Sequence, residues 1–491
     1  MKIALIIPRV VTEGRPSFYD YSFYKSFLFT DKYFSYLLAA PVLASLTPPG
    51  HEVRIFDENI EEIDYTWPAD LAGITVRTMF AERAYEISET FRKRGVRTVL
   101  GGIHPSMCTE EALGHCDTVV TGEAEKTWPV LVRDAEKGRM KRLYRSEGAV
   151  DMTETPPPGR SRLSRKKYFA DILQTTKGCP FDCEFCSVSA FDGQKLRSKS
   201  VDQVLREIGD VREGSNRFKR KSVFFADDNI IANRKYARAL FTALKPLNLN
   251  WSCQGSIDVS RDDDLLGLMR ESGCGAILVG LESVSDQNLA AMGKKVNLRH
   301  DYLEAIRRIQ SHGIMVHGSF ILGYDFDTTE SFGELLSFIE EAELLMPLIN
   351  VLTPFPGTRL YRRLEEEGRI LHRNWSDYDG QTVVFRPARM TPGELFEGYR
   401  EVLRGAYAFE AIYRRLDALW EKDFWWRSNE TDPIKLRYRA LFAARMASLL
   451  PSSREGRAKF IMRLLPRLFE KKVRISTIVT MMAYNDFAYS L

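Results

Sequence analysis

Three cysteines at spacings of four and three, in Cys179-Pro180-Phe181-Asp182-Cys183-Glu184-Phe185-Cys186, are the side chains best placed to do chemistry. They follow an apolar, strand-like run from Ile172 to Thr176. Three thiolates can hold three irons of a cubane cluster and leave the fourth open to a substrate or cosubstrate. All three sulfurs must converge on a group a few Å across, so the intervening residues are few and the backbone turns; Gly178 and Pro180 suit that turn. The rival is a structural zinc knuckle. Zinc usually takes four protein ligands in paired form, and the nearest other cysteine, Cys253, falls in a separate strand-like run.

The elements that must position this loop come from a chain of 491 residues, long enough for roughly two to four domains. Seven cysteines, an odd number with three clustered, argue against a disulfide framework and for a reducing compartment. Cys108, Cys116, Cys253 and Cys274 fit as small buried apolar residues. A net charge of +4 gives no reason to expect nucleic acid, and neither an RNA-binding signature nor an internal repeat is present. Without a run of about twenty apolar residues a spanning helix is not expected. Met1 to Pro8 has the pattern of a first strand rather than a signal peptide, so the expected location is cytoplasmic.

Up to about residue 150, apolar strand-like runs alternate with helical patterns: Lys2–Pro8, Tyr36–Ser45, His51–Asp57, Leu71–Thr75, Phe80–Arg94, Thr98–Ile103, Thr118–Thr121 and Trp128–Ala135. This predicts a doubly wound, Rossmann-like parallel sheet with a ligand edge at the carboxyl ends of its strands. The candidate binding residues are Thr75, Val76 and Arg77, then Gly101, Gly102 and His104, then Gly122 and Glu123. Phe18 to Tyr36 holds ten aromatics, Phe18, Tyr19, Tyr21, Phe23, Tyr24, Phe27, Phe29, Tyr33, Phe34 and Tyr36. They would either cover a ligand on that edge or pack against the next domain.

Residues 143 to 170, with Pro156-Pro157-Pro158-Gly159, have the composition of an interdomain connection. Beyond it, strands are expected at about 172–176, 222–226, 250–254, 276–281, 315–322 and 347–352. Helices are expected at roughly 201–212, 234–245, 263–272, 286–292, 299–311 and 329–343. Six βα units put chemistry at the carboxyl ends of the strands, where Asp227, Asp228, Gln254, Ser256, Glu282, Ser283 and Gly323 stand. Residues 376 to 491 are helical by pattern. Between Lys435 and Arg474 twelve Lys and Arg face two Glu among apolar residues, which suits either an anionic membrane surface or a packed helix with a solvated basic face.

CxxxCxxC with an aromatic, here Phe185, before the last cysteine resembles the radical S-adenosylmethionine (SAM) superfamily. The resemblance implies that Cys179, Cys183 and Cys186 ligate a [4Fe-4S] cluster and that SAM chelates the open iron. It also implies that the strand-end residues, with Phe185, surround SAM in a partial (β/α)6 barrel, Asp227 or Asp228 meeting its ammonium group and Glu282 its ribose. LASLTPPGHEVRIFDENIEEID, LGGIHPS and VVTGEAEKTWPVL resemble the cobalamin-binding domain of the B12-dependent subfamily. There is no DxHxxG segment, so cobalamin would bind base-off, with His104 either a substitute ligand or a loop histidine bonded to backbone. TVVFRPARMTPGELFEGYREVLRGAYAFEAIYRRL resembles the helical extension of hopanoid-methylating members.

The implied architecture is α/β: a cobalamin-binding domain over 1–145, a linker over 146–170, a radical SAM barrel over 171–375 and a helical domain over 376–491. The implied reaction is methylation of an unactivated carbon through a 5′-deoxyadenosyl radical and methylcobalamin. An oxidative cyclisation or rearrangement without methyl transfer is the alternative of the same architecture, and a non-catalytic cobalamin and cluster protein that of another class. Implied partners are a small-molecule substrate, lipid or tetrapyrrole-like, and an external electron donor of flavodoxin or ferredoxin type, with peripheral membrane contact as an option. No residue is assigned to catalysis itself.

Overall fold

A computed structural model describes residues 1–491 apart from 12–13, 15–16, 18–31, 214–221, 423–442, 445–454 and 470–474. Two six-stranded parallel sheets organise it. The first has strands β1 (Lys2–Ile7), β2 (Glu52–Asp57), β3 (Leu71–Thr75), β4 (Arg97–Gly101), β5 (Thr118–Thr121) and β6 (Leu143–Arg145), in the order β2-β1-β3-β4-β5-β6. Ile3 to Ile7 are all buried, the unbroken apolar run expected of a parallel strand covered on both faces. The stretch with the composition of a connection, 143 to 170, starts too early, whereas the first-domain bound at 145 does not: residues 143–145 form the edge strand β6, because Leu143, Tyr144 and Arg145 pair with Val119, Val120 and Thr121.

The second sheet holds β7 (Ala170–Leu173), then, after a two-stranded ribbon of β8 (Thr176–Lys177) and β9 (Arg197–Ser198), β10 (Ser222–Phe225), β11 (Asn250–Gly255), β12 (Cys274–Glu282), β13 (Met315–Leu322) and β14 (Leu348–Val351). Its order, β14-β13-β12-β11-β10-β7, makes each main strand the neighbour of the next, the signature of a half barrel built from βα units. Burial alternates along β11 and β13, fully buried residues meeting the helices and half-buried ones facing the barrel interior. Six helices cover the outside, at Val201–Glu213, Arg234–Leu244, Asp263–Glu271, Asp286–Ala291, Tyr302–Ser311 and Glu330–Glu341. Their starts are chemically marked: the Asp301 side chain accepts from the Leu303 and Glu304 amides, and Asp262 accepts from Leu265.

Beyond the barrel, the helices Pro392–Ala406, Phe409–Glu421, Glu455–Phe469 and Ile475–Ser490 add Tyr399, Leu403, Ile412, Phe460 and Met481 to the barrel's own apolar core. Of the basic amphipathic stretch, the described helix Glu455–Phe469 buries Phe460, Ile461 and Leu464 and exposes Met462; most of its other residues lie outside those described. Among the described residues no helix is long and apolar enough to cross a membrane.

The segment between barrel and helices crosses to the first sheet. Trp375, Tyr378 and Val384 join the apolar cluster of Phe56, Ile74, Phe91 and Val119. The Trp375 indole N–H donates to Glu111 (2.7 Å), its backbone N–H to Glu82 (3.1 Å), and Ser376 also donates to Glu82 (2.6 Å). On the opposite flank Tyr168 donates to Asp57 (2.7 Å) and Tyr36 to Asp171 (3.0 Å), and the backbones of Tyr33 and Phe34 hydrogen-bond to residues 167–170. Tyr33, Phe34 and Tyr36 of the aromatic-rich insertion thus pack at the junction, while Phe18 to Phe29 lie outside the described residues.

Trp375→Ala is expected to lower the stability of the first sheet by about 3–5 kcal/mol, since a large buried ring and the indole hydrogen bond to Glu111 go together. Trp375→Phe keeps the ring and is expected to cost less than half as much, both read as urea midpoints.

Candidate functional site

The cysteine loop is fixed from beneath and along its flank. Beneath it, Asp227 at the end of β10 is wholly buried, and its Oδ1 accepts from the Thr175 amide (3.0 Å), the Thr175 hydroxyl (2.7 Å), the Thr176 hydroxyl (2.6 Å) and the Thr176 amide. Four donors on one oxygen tie the end of β10 to the two residues that lead from β7 into the loop. Gly178 has φ +85°, and a Cβ there would stand 2.6 Å from the Lys195 carbonyl, so only glycine fits before Cys179. The Cys179 amide donates to the Gly193 carbonyl (3.3 Å), and Cys186 starts the helix Ser187–Phe191.

On one side, Glu184 between the last two cysteines bonds the Arg363 guanidinium (2.6 Å) and the Tyr324 hydroxyl, and its amide donates to Met292 O (3.0 Å). One turn earlier on the helix that carries Arg363, Arg359 pairs with Asp182 (3.2 Å). None of the three cysteines is in a disulfide. Burial raises all three thiols, Cys183 to about 11, and the Lys294 ammonium works against that rise at each. A partly buried trio of free thiols on one anchored loop fits a three-cysteine iron–sulfur cluster and supplies too few ligands for a closed zinc site.

Around this loop the strand ends converge. Asp228 Oδ2 is buried without a hydrogen-bond partner, the other side of that carboxyl meets the Gly178 amide, and burial together with Asp227 raises it to about 6. Asp227 Oδ2 is also without a partner, but Asp227 is wholly buried with its other oxygen on backbone and hydroxyl donors, whereas Asp228 is only partly buried and is the one that a cationic ligand can reach. Gln254 ends β11 half-buried on the inner face. Ser256 is held by Asn229 (2.9 Å) and Asp258. Glu282 sits at a bulge with φ +66° and pairs with Lys294 (2.9 Å). Ser283 accepts from the Ser285 amide (3.1 Å), and Phe185 packs on the barrel core. Gly323 has φ +99°, donates to Asp327 (2.8 Å) and would meet Leu395 at 2.6 Å if it carried a Cβ, which gives it a packing reason independent of any ligand.

On the first sheet the loops after β3, β4 and β5 interlock. Val76 donates to Gly101 O (2.8 Å), His104 N to Val76 O (3.2 Å), and Gly122 N to the Ser106 hydroxyl (2.9 Å). Gly102 has φ +108° and stands against Val76 O. Thr75 and Gly101 are half-buried and Arg77 is exposed on this edge, so a large ligand can reach them. Two expectations are corrected. His104 is fully buried, with its Nε2 on the Tyr85 hydroxyl (3.0 Å) and near Glu111 (3.6 Å), so the ring is bonded to side chains rather than backbone; its Nδ1 is buried without a partner. Glu123 does not face an open edge. It pairs with Lys177 (2.9 Å) and Arg197 (2.7 Å), and Glu125 also binds Lys177 (2.6 Å), so the loop after β5 is joined to the ribbon that carries the cysteine loop. The loops after β3 and β4, with half-buried Thr75 and Gly101 and exposed Arg77, are the part of this edge that a corrinoid could meet.

The sequence reading missed Lys294, Glu184, Tyr324 and Arg363. The first lies in Met292-Gly293-Lys294, whose glycine just past the end of a helix was the available signal.

Residues 173–339 match the Radical SAM superfamily, and residues 358–488 match a domain of unknown function, DUF4070. The chain is 32% identical over 387 residues to the bacteriochlorophyllide d C-12(1)-methyltransferase of Chlorobaculum tepidum, covering 76% of this chain and 83% of that protein. It is 30% identical over 389 residues to the hopanoid C-2 methylase of Rhodopseudomonas palustris, covering 77% and 72%. In fold it is similar to the cobalamin-dependent S-adenosylmethionine radical enzyme OxsB with aqua-cobalamin bound, with TM-score 0.64 and 14% identity over 100% of this chain and 79% of that one.

Gly178→Ala is expected to strip most of the iron from the reconstituted protein, measured by iron and sulfide content, while circular dichroism stays as in the wild type. Asp227→Ala, which leaves Thr175 and Thr176 donors unsatisfied in a buried place, is expected to cost about 2–4 kcal/mol in denaturant unfolding as well as the iron.

Proposed function

This chain belongs to the cobalamin-dependent radical SAM family, and from that premise we propose that it methylates an unactivated carbon of a flat or polycyclic apolar molecule, of the tetrapyrrole or hopanoid kind named for its relatives. The observation that carries the proposal is the ionic link from Glu123 and Glu125 to Lys177 and Arg197. It sets the carboxyl edge of the first sheet against the base of the cysteine loop, so a ligand on one edge faces a ligand on the other. Met107, after β4, against Gly357, after β14, is a second contact between the same edges.

Once bound, the three groups supply a one-electron reductant, a source of an adenosyl radical and a carrier of methyl. The chain's own residues do the rest. Cys179, Cys183 and Cys186 hold the cluster. Asp228 accepts hydrogen bonds from the ammonium group of SAM, and Glu282 and Gln254 offer acceptors at neighbouring strand ends for its ribose and amine. Thr75, Val76, Arg77, Gly101, Gly102 and Gly122 form the corrinoid edge. Half-buried Ile172, Phe224, Leu278, Ile321 and Leu348 alternate with buried residues along the barrel strands, among half-buried Ser252, Gln254, His317, Ser319 and Asn350, so the interior lining is part apolar and part polar, and Phe34 meets Phe224 edge-on at 6.5 Å. The apolar part of that lining suits an apolar substrate. The electron arrives from an external donor of the flavodoxin or ferredoxin kind.

The test is stoichiometric. Anaerobic protein with reconstituted cluster, added hydroxocobalamin, a reductant and a panel of bacteriochlorophyllides and hopanoids is expected to form one S-adenosylhomocysteine and one 5′-deoxyadenosine per methyl transferred. Deoxyadenosine with an altered but unmethylated product would replace methylation by a rearrangement, and neither product from any substrate would contradict both.

A further inference from the structure

We propose that Lys294 sets the reduction potential of the cluster on Cys179, Cys183 and Cys186, holding it high enough to accept an electron from the external donor. The proposal rests on the cluster reading above. Its basis is the turn Met292-Gly293-Lys294, which is built against the cysteine loop at two points. The Met292 carbonyl accepts from the amide of Glu184 (3.0 Å), and a Cβ on Gly293, at φ +74°, would stand 3.0 Å from the carbonyl of Asp182. Those two loop residues flank Cys183, so Lys294 cannot shift independently of the central cysteine.

The Lys294 side chain is only 14% exposed, and its Nζ lies 2.9 Å from Glu282 Oε1. Although burial works against it, the Glu282 carboxylate holds the ammonium charged. A Cβ on Gly280, in the strand that ends at Glu282, would stand 3.2 Å from Lys294 Nζ, so the turn holds one fixed ammonium at the carboxyl end of β12 while its backbone packs on the loop of Cys179, Cys183 and Cys186.

The physical consequence is a matter of charge. An oxidised [4Fe-4S] cluster with three thiolates carries one net negative charge, and the electron that reduces it makes two. The donor loses that electron and no proton need move. In a partly dry site a second negative charge is costly, and a fixed ammonium nearby favours the reduced form. Glu282 offsets part of this effect. A lysine that merely props up Glu282 would leave the potential where it is.

The test uses the full-length, SAM-free protein, reconstituted anaerobically with iron and sulfide and titrated with redox mediators while the reduced cluster is followed by electron paramagnetic resonance. Lys294→Met is expected to make reduction at least tenfold less favourable, about 59 mV for one electron. Lys294→Arg is expected to stay within threefold of the wild type, and Glu282→Gln to move the potential upward. Lys294→Met with wild-type iron content and an unchanged potential overturns the proposal. If Lys294→Met holds no cluster, Glu282→Gln decides: an upward shift supports the proposal, and no shift or a downward one overturns it. A wild-type protein that binds no cluster removes the cluster reading itself and this inference with it.

Discussion

One oxygen of Asp227 governs the geometry of the site. Two amides and two hydroxyls of Thr175 and Thr176 converge on it in a place with no exposure, so the end of β10 dictates where the chain leaving β7 must turn. A buried carboxylate oxygen with four donors is costly to disturb, because any displacement strands several polar groups without water. The cysteine loop starts three residues after Thr176 and inherits that rigidity. Glu184, pinned by Arg363 and by the Tyr324 hydroxyl at the end of β13, fixes its far side. Ligand positions are thereby set by strand register, which a parallel half barrel specifies well, rather than by loop conformation.

The second constraint is electrostatic and joins the two sheets. Lys177 and Arg197 belong to the ribbon below the cysteines, while Glu123 and Glu125 belong to the loop after β5. Buried ion pairs of this kind contribute little net stability once desolvation is counted, but they select one relative placement of the parts they join. That placement brings two ligand edges face to face. The crossing of Trp375 and Tyr378 onto the first sheet holds the same arrangement from the opposite flank.

Much of this was legible in the sequence for a simple reason: continuous apolar runs and amphipathic helices repeat with their own periods whatever their partners. Strand β13 was expected at 315–322 and is observed there, and the helix expected at 234–245 runs from Arg234 to Leu244. Strand β6 was hidden because three residues, Leu143 to Arg145, carry no period and earn their strand only by pairing with β5. The cysteines announced themselves by spacing. What spacing could not show is which carboxylates are spent on structure. Asp227 and Asp228 look alike in the chain, yet one is wholly buried and locked onto threonine donors while the other is only partly buried beside the loop. Glu123 looked like a binding residue because it follows a strand in the expected place; its partners, Lys177 and Arg197, lie more than fifty residues away. His104 was misjudged for the same reason, since Tyr85 and Glu111 enclose it only once the helices on either side of β4 are in place.

The central claim is that Cys179, Cys183 and Cys186 hold a cluster with an open iron site at the mouth of the half barrel. Electron–nuclear double resonance on the reduced protein, with SAM labelled by 17O in its carboxylate and 15N in its amine, tests that claim most directly. Hyperfine coupling of both nuclei to the cluster, lost when any one of the three cysteines is replaced by alanine, is the expected result. A reduced cluster whose spectrum ignores labelled SAM would mean that all four irons are already ligated, and the functional account built on the open site would fall.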